Sequence, residues 1–406
     1  MKKGLIIFSL ATLCVTSQAQ EGWTLRQCID YAIEHNIEIQ QTANEAEQNA
    51  IEVNTAKWAR LPNLSGSAGQ NWSWGRSQSP KDNTYSDVNS GSTQFGLNTN
   101  VPLFTGLQLP NQYALSKLNL KAAIEDLNKA KEDIAINVTS SYLQVLFNME
   151  LSKVAASQTE LSKEQCKRII RLAEVGKASS AEVAEAKARV AQDEMSLVQA
   201  ENNYQLALLD LSQLLELPTP EGFTLAQPDT VVNFAPLTAP DDIYTEALSN
   251  KPGIRAAQFR LEGSEKSIRI AQSNYYPQLS FGASIGTNFY TLNGSAEHSF
   301  GSQLKNNLNK GIGFNLSVPL FNRLATRNRV RSARLQQTNL ALQLNNTKKV
   351  LYKEIQQAWY NAVAAESKFN SSMAAVTANE ESFRLMSEKF DNGKATFVEY
   401  NEAKLN

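Results

Sequence analysis

Leu61-Pro62-Asn63-Leu64-Ser65-Gly66-Ser67-Ala68-Gly69-Gln70-Asn71-Trp72-Ser73-Trp74 is the stretch on which the fold turns. Leu64, Gly66, Ala68, Trp72 and Trp74 alternate with Ser65, Ser67, Gly69, Asn71 and Ser73. A period of two is the pattern of a strand with two unlike faces. The stretch has a near copy. Tyr276-Pro277-Gln278-Leu279-Ser280 opens a second run, in which Leu279, Phe281, Ala283, Ile285 and Phe289 alternate with Ser280, Gly282, Ser284, Gly286 and Asn288. The two prolines are 215 residues apart (277 − 62).

Each run has a partner. Phe95, Leu97, Val101 and Leu103 alternate with Gly96, Asn98 and Asn100. Ile312, Phe314, Leu316, Val318 and Leu320 alternate with Gly313, Asn315 and Ser317. Val101-Pro102-Leu103-Phe104 recurs as Val318-Pro319-Leu320-Phe321, 217 residues on (319 − 102). Tyr142 and Trp359, Gly176-Lys177-Ala178 and Gly393-Lys394-Ala395, and Glu182 and Glu399 keep that offset. Solenoid units repeat every ~20–50 residues, so this spacing predicts a duplicated half-protein.

The polar face of every run is small and uncharged. The other face is apolar, with aromatics near its ends. That combination predicts lipid-exposed barrel strands with a wet inner face and an aromatic girdle. An ordinary half-buried sheet is the plainer reading, but four such strands in an exported chain favour the membrane. The residues expected to face lipid are Leu64, Trp72, Trp74, Phe95, Leu97, Phe281, Ile285, Phe289, Phe314 and Leu316. The segments between partners, 76–93 and 291–310, read as long polar loops.

Residues 1–19 read as a secretory signal peptide. Lys2 and Lys3 precede the apolar run 4–15, and Ser17-Gln18-Ala19 offers a small-residue cleavage site. Cys14 follows the bulky Leu13, which does not fit a lipoprotein signal. No later run is long and apolar enough for a membrane helix. The net charge of −1 points to neither nucleic acid nor an anionic surface. Cys28 and Cys166 make no disulfide framework, and the two histidines, His35 and His298, lie in different segments. No metal or other cofactor is expected.

The rest of each half reads as helix. Residues 24–60 and 241–274 form amphipathic helices, with Thr24 and Asp241 or Asp242 as N-caps. From 109 to 175 there is no glycine and no proline beyond Pro110, which allows one helix on the order of 100 Å long. Gly176-Lys177-Ala178-Ser179-Ser180 breaks the run, and a serine caps the next helix. In that helix Val183, Val190, Leu197, Tyr204 and Leu211 recur every seven residues. Ala186, Ala200, Ala207 and Leu214 fill the second apolar position, as in a coiled coil. The expected layout is a first repeat at 20–215, a proline-rich linker at 216–240 laid against the helices, and a second repeat at 241–406.

Four strands cannot span a bilayer as an open sheet, because every backbone polar group in lipid needs a partner. Barrels start at about eight strands. Copies must share one barrel, eight-stranded from two chains or twelve-stranded from three; the strand count leaves both open.

The Leu-Pro-Asn-Leu and Tyr-Pro-Gln-Leu strand entries, the two Val-Pro-Leu-Phe exits and the two helix-tip motifs at 171–186 and 389–403 together resemble the TolC-type outer-membrane efflux channels, over nearly all of the chain. The resemblance implies a homotrimer with a twelve-stranded β-barrel continued by a twelve-helix α-barrel through the periplasm. It implies a passive duct fed by an inner-membrane pump, of the resistance-nodulation-division or ABC type, through a periplasmic adaptor. It places the glycine turns at the periplasmic tip. Gly176, Lys177, Ala178, Ser179, Gly393, Lys394, Ala395 and Thr396 are then the adaptor-docking candidates. It also implies an acidic gate at Glu399 and Glu402, with Glu182 and Glu185 as their repeat mates. Solvated glutamates beside a coiled-coil seam are the plainer reading of these four.

The chain departs from the family pattern in two places. Ala395 stands where some members carry a latching arginine. By the 217 offset Asn406 stands at Arg189, while the first copy's heptads run to Leu214, so 25 residues (214 − 189) of the last helix are missing by the repeat; either the chain is cut there, the favoured reading, or the final seam is incomplete. Gly176-Lys177 and Gly393-Lys394 do not make a phosphate loop, since no Ser or Thr follows the lysine and its first glycine is missing. No nucleophile–base set is visible, so catalysis is not expected. A duct for type I protein secretion and a periplasmic coiled-coil scaffold are the alternatives; the scaffold leaves the lipid-patterned strands unexplained. The lack of His or Met clusters disfavours a dedicated metal route.

Overall fold

The computed structural model describes residues 22–78, 83–87, 89–220, 222–226, 234–293, 296 and 298–405. The expected signal peptide, 1–19, lies outside them, as does 227–233 of the proline-rich segment.

The segment 24–60 is two helices, α1 (Leu25–His35) and α2 (Ile37–Trp58). Thr24 is the N-cap of α1 in a capping box with Gln27. The single helix expected here is interrupted at Asn36, whose backbone is extended at ψ 130. Its side-chain oxygen accepts the N–H groups of Glu38 at 3.0 Å and Ile39 at 3.3 Å. Asn36 therefore ends one helix and caps the next.

Two strands and a small hairpin follow: β1 (Asn63–Ser73), β2 (Arg76–Gln78), β3 (Tyr85–Asp87) and β4 (Ser90–Phe104). Next come the long helices α3 (Gln108–Glu174) and α4 (Ser180–Leu214). The second helical segment is again two helices, α5 (Pro240–Asn250) and α6 (Pro252–Ser273). Pro252 forces its predecessor Lys251 out of helical geometry. The N-cap of α5 is Ala239 with Pro240 at the first position, not Asp241 or Asp242, which lie in the first turn and favour the positive helix end. The chain continues as β5 (Gln278–Leu292), α7 (Phe300–Asn306), β6 (Asn309–Ser317), α8 (Ala325–Asp391) and α9 (Phe397–Leu405). Both α3 and α8 contain 67 residues.

The described residues fall into two compact units. One comprises the chain up to Asn44 and Leu127–Asn233. Its core joins Cys28, Ala32, Val138, Tyr142, Leu211 and Leu215, all buried. The segment after α4 folds onto it. Trp23 and Thr224 share a backbone hydrogen bond of 2.7 Å, and Phe223 packs edge-to-face on Trp23 at 5.4 Å. The Tyr142 hydroxyl donates to the Ala226 carbonyl at 2.7 Å. Burial pushes the Cys28 thiol up to about 11, so it acts as a small apolar residue.

The other unit comprises Glu45–Asp126 and Phe234–Asn406. It holds α8, on the order of 100 Å long, with α5, α6 and α9 packed along it. Arg255 reaches the buried Glu125 at 2.8 Å, and Tyr352 donates to Asp241 at 2.9 Å. The four long strands form one antiparallel sheet in the order β1-β4-β5-β6. β6 stops at Ser317, so Val318 and Leu320, expected in the strand, lie outside it. Trp74 likewise falls past the end of β1. Pro102 stays in β4 beyond the end of β1, where that strand has one neighbour and a missing N–H is tolerated. The long loops expected between partners hold the β2–β3 hairpin and α7.

The strand-to-helix turns need left-handed backbone. Gly106 and Leu107 have φ of 60 and 66 before α3, and Arg323 and Leu324 have 55 and 64 before α8. A Cβ on Gly106 would lie 2.6 Å from the Ser273 carbonyl oxygen, so that corner excludes a side chain.

Candidate functional site

The strand register sorts the sheet into two chemically distinct faces. Cross-strand partners point the same way. Leu64 pairs with Thr99, Gly66 with Leu97, Ala68 with Phe95 and Trp72 with Gly91. On the next strand Leu97 meets Ile285, Thr93 meets Phe289 and Val101 meets Phe281. Phe281 meets Phe314 and Leu279 meets Leu316. Nine of the ten residues expected to face lipid thus share one face across four strands; Trp74 lies past β1. The opposite face carries Ser65, Ser67, Asn98, Asn100, Ser284 and Asn315, interleaved with glycines. Much of the apolar face is uncovered: Leu64 is 76% exposed and Phe314 71%.

The strands contain 11, 15, 15 and 9 residues. Spanning a bilayer takes roughly 9–11. β1 and β6 stand at the two edges of the sheet. Past Gly286, where β6 ends its pairing, α7 takes the strand's place beside β5. The buried Gln303 accepts the Tyr290 N–H at 3.0 Å and donates to the Tyr290 carbonyl at 3.0 Å. Its amide imitates a neighbouring strand. Asn307 donates to the Asn288 carbonyl at 2.8 Å, and Phe300 packs on Phe289 at 5.0 Å.

The two glycine turns are built alike. Gly176 and Gly393 adopt φ of 73 and 66, and a Cβ there would meet nothing, so backbone conformation alone favours glycine. Lys177 N–H donates to the Leu172 carbonyl at 2.8 Å and Gly176 N–H to Ala173 at 3.0 Å. Lys394 donates to Lys389 at 2.8 Å and Gly393 to Phe390 at 3.1 Å. Both are Schellman endings, which satisfy the last carbonyls of the outgoing helix. A capping box starts each returning helix. Ser179 N–H donates to Glu182 Oε2 at 2.5 Å, and Glu182 N–H returns to Ser179 Oγ at 3.2 Å. Thr396 N–H donates to Glu399 Oε2 at 2.7 Å, and Glu399 N–H returns to Thr396 Oγ1 at 3.2 Å. These backbone hydrogen bonds, then the hydroxyl ones, hold both carboxyls below the usual carboxylate range. Glu185 and Glu402 lie exposed one turn further along. Lys177, Ala178, Lys394 and Ala395 form the short links between ending and cap.

Two features escaped the sequence reading. Tyr400 is buried against Phe390, stacked at 4.8 Å, and Phe383 at 5.6 Å. At the same offset the first turn has Val183, Ala173 and Cys166, so only the second turn is clasped by aromatics. The other is Asp193, 5% exposed between α3 and α4. It occupies the heptad position between Ala186 and Ala200. The Ser162 hydroxyl donates to its carboxylate, Arg189 Nε lies 3.3 Å from Oδ1, and Thr159 donates to its carbonyl at 3.1 Å. A polar group at such a seam position fixes the register of the paired helices. The gap in the apolar heptads was its signal.

Among the described residues there is no cluster of His, Cys, Asp and Glu that could hold a metal, and no helix long and apolar enough to cross a membrane. The outer membrane efflux protein family matches the chain at residues 28–216 and 243–406. Outer membrane protein TolC of Escherichia coli is 23% identical over 416 residues, covering 99% of this chain and 80% of its own. Pyoverdine export outer membrane protein OpmQ of Pseudomonas aeruginosa is 26% identical over 239 residues, 58% of this chain and 47% of its own. The solved Campylobacter jejuni CmeC outer membrane channel superposes with a TM-score of 0.81 at 19% identity, covering 94% of this chain and 79% of that one.

Proposed function

Because the chain belongs to the outer membrane efflux protein family, and so to the outer membrane, we propose that it is the passive exit duct of a tripartite efflux system. Three copies share one barrel of twelve strands, and their helices continue it as a tunnel through the periplasm. The observation that carries this reading is the two-faced sheet. Its apolar side lies open along four strands, its other side is lined by Ser, Asn and Gly, and among the described residues no further strand lies beside its edges β1 and β6. In lipid those edges need partners, and further copies of the same sheet can supply them.

The two glycine turns, Gly176 to Ser179 and Gly393 to Thr396, dock a periplasmic adaptor, which passes cargo from an inner-membrane pump. The matching bounds of α3 and α8, the two Schellman endings and the two capping boxes favour descent from one duplicated half. The acidic residues at the turns line the tunnel entrance. Glu182 and Glu399 are held by the caps, which leaves Glu185 and Glu402 as the more adaptable carboxylates. No catalytic step is required of any residue. A free periplasmic scaffold does not account for the open apolar face.

Reconstitution in planar bilayers tests the duct. Stepwise single-channel conductance is expected from the purified protein, with heat-modifiable mobility in an outer-membrane fraction. A protein that inserts and never conducts would overturn the reading.

A further inference from the structure

We propose that the arginine cluster at the start of α8 grips the headgroup phosphates of anionic membrane phospholipids; the inference rests on reading the sheet as the membrane segment. Arg323, Arg327, Arg329, Arg331 and Arg334 fall within twelve residues (323–334), directly after β6. No Asp or Glu occurs between Glu297 and Glu354. The net charge of −1 hides this, because the acids lie elsewhere in the chain. All five side chains are exposed, and none has an ion pair among the described residues.

Position identifies the occupant. Leu320 and Phe321, 93% and 80% exposed, continue the apolar surface past the last strand residue. Arg323 follows two residues later. Arg327, Arg331 and Arg334 are four and three residues apart and share one helix face. They cover about 10 Å of helix axis. A headgroup layer is roughly 5–8 Å deep on each side of the hydrocarbon. Side chains on a helix lean toward its N-terminus, which here is the end joined to the sheet. Long arginine stems can therefore bring their charges back to that layer. A guanidinium matches a phosphate with two parallel hydrogen bonds.

Helix stability does not call for Arg323 and Arg327 at this end. Cations at a helix N-terminus oppose its dipole, and α8 has no acid in its first turn and no side-chain cap at Leu324. The corresponding positions at the start of α3, by the 217 offset, are Gly106, Pro110, Gln112, Ala114 and Lys117. A helix leaving the sheet can thus do without the arginines, and they belong to the α8 side alone.

The test uses the full-length protein, titrated with phosphatidylglycerol or phosphatidylcholine in detergent and read by native mass spectrometry. Tighter binding of phosphatidylglycerol, weakening as salt rises, is expected. Each arginine near a surface contributes about fivefold. The triple variant Arg323→Gln, Arg327→Gln, Arg331→Gln should lose at least about tenfold. The variant Lys348→Gln, Lys349→Gln, further down α8, should lose nothing comparable. Equal binding of the two lipids by the unaltered protein overturns the proposal. So does a triple variant that keeps the preference, or one that falls into single chains, because the arginines would then pair with carboxylates of a neighbouring copy. Full displacement by inorganic phosphate would mark a free-anion site and also overturn it. A protein that conducts without the lipid preference sinks only this inference; one that never conducts sinks the duct reading.

Discussion

Glu182 and Glu399 combine a structural task with a charge, and two substitutions separate them. Each carboxylate receives the backbone N–H of its N-cap residue. Glutamine can accept the same hydrogen bond, since a capping box takes either residue. Alanine cannot. Glu399→Gln should therefore keep slow amide exchange at Thr396, while Glu399→Ala should speed it. If Glu399→Gln also alters cation block in single-channel records, the charge acts beyond the cap. The pH dependence has a definite sign. Both carboxyls lie lower in the folded chain than the usual value, so their caps are intact above the ordinary carboxylate range and are lost as pH falls through the lowered native values. Amide exchange at Ser179 and Thr396, followed from neutral pH into acid, should show protection lost only below that range. Loss of protection near neutrality would contradict the assignment.

The elements show where local rules suffice and where they fail. Alternation along the strands is visible because a period of two depends on the strand alone. The segment 241–274 reads as one amphipathic helix, although Pro252 holds Lys251 extended and splits it in two. Asn36 gave less warning, because its capping role depends on side-chain hydrogen bonds that composition does not reveal. The edge helix α7 was hidden in a polar loop. Its function follows from Gln303, which replaces a strand partner for Tyr290. Gln303→Ala leaves a backbone N–H and carbonyl of β5 without those partners and should destabilise the outer end of the sheet by ~1–3 kcal/mol. A lowered melting temperature, with faster proteolysis near β5, checks this. Unchanged melting would mean that α7 is held chiefly by Phe300 on Phe289.

The whole molecule is governed by an unfinished sheet. Its four strands are long enough for a bilayer, but among the described residues β1 and β6 end the sheet without further strands. Native mass spectrometry of the detergent-extracted protein should give three chains per particle; a stable single chain would contradict shared closure. The sequence by itself determined the alternating strands, the long helices, the glycine turns and a serine cap at the first of them, since each is written in neighbours a few positions apart. The resemblance to efflux channels rested on the same local motifs. Only the tertiary structure decided that the apolar residues of four separate strands lie on one face. A shift of one residue in any pairing would have turned that strand's apolar set to the other side. It also decided that a buried aspartate sits in the α3–α4 seam. These depend on register and side-chain direction, which are set by contacts far apart in the chain or by turns whose geometry the sequence only permits.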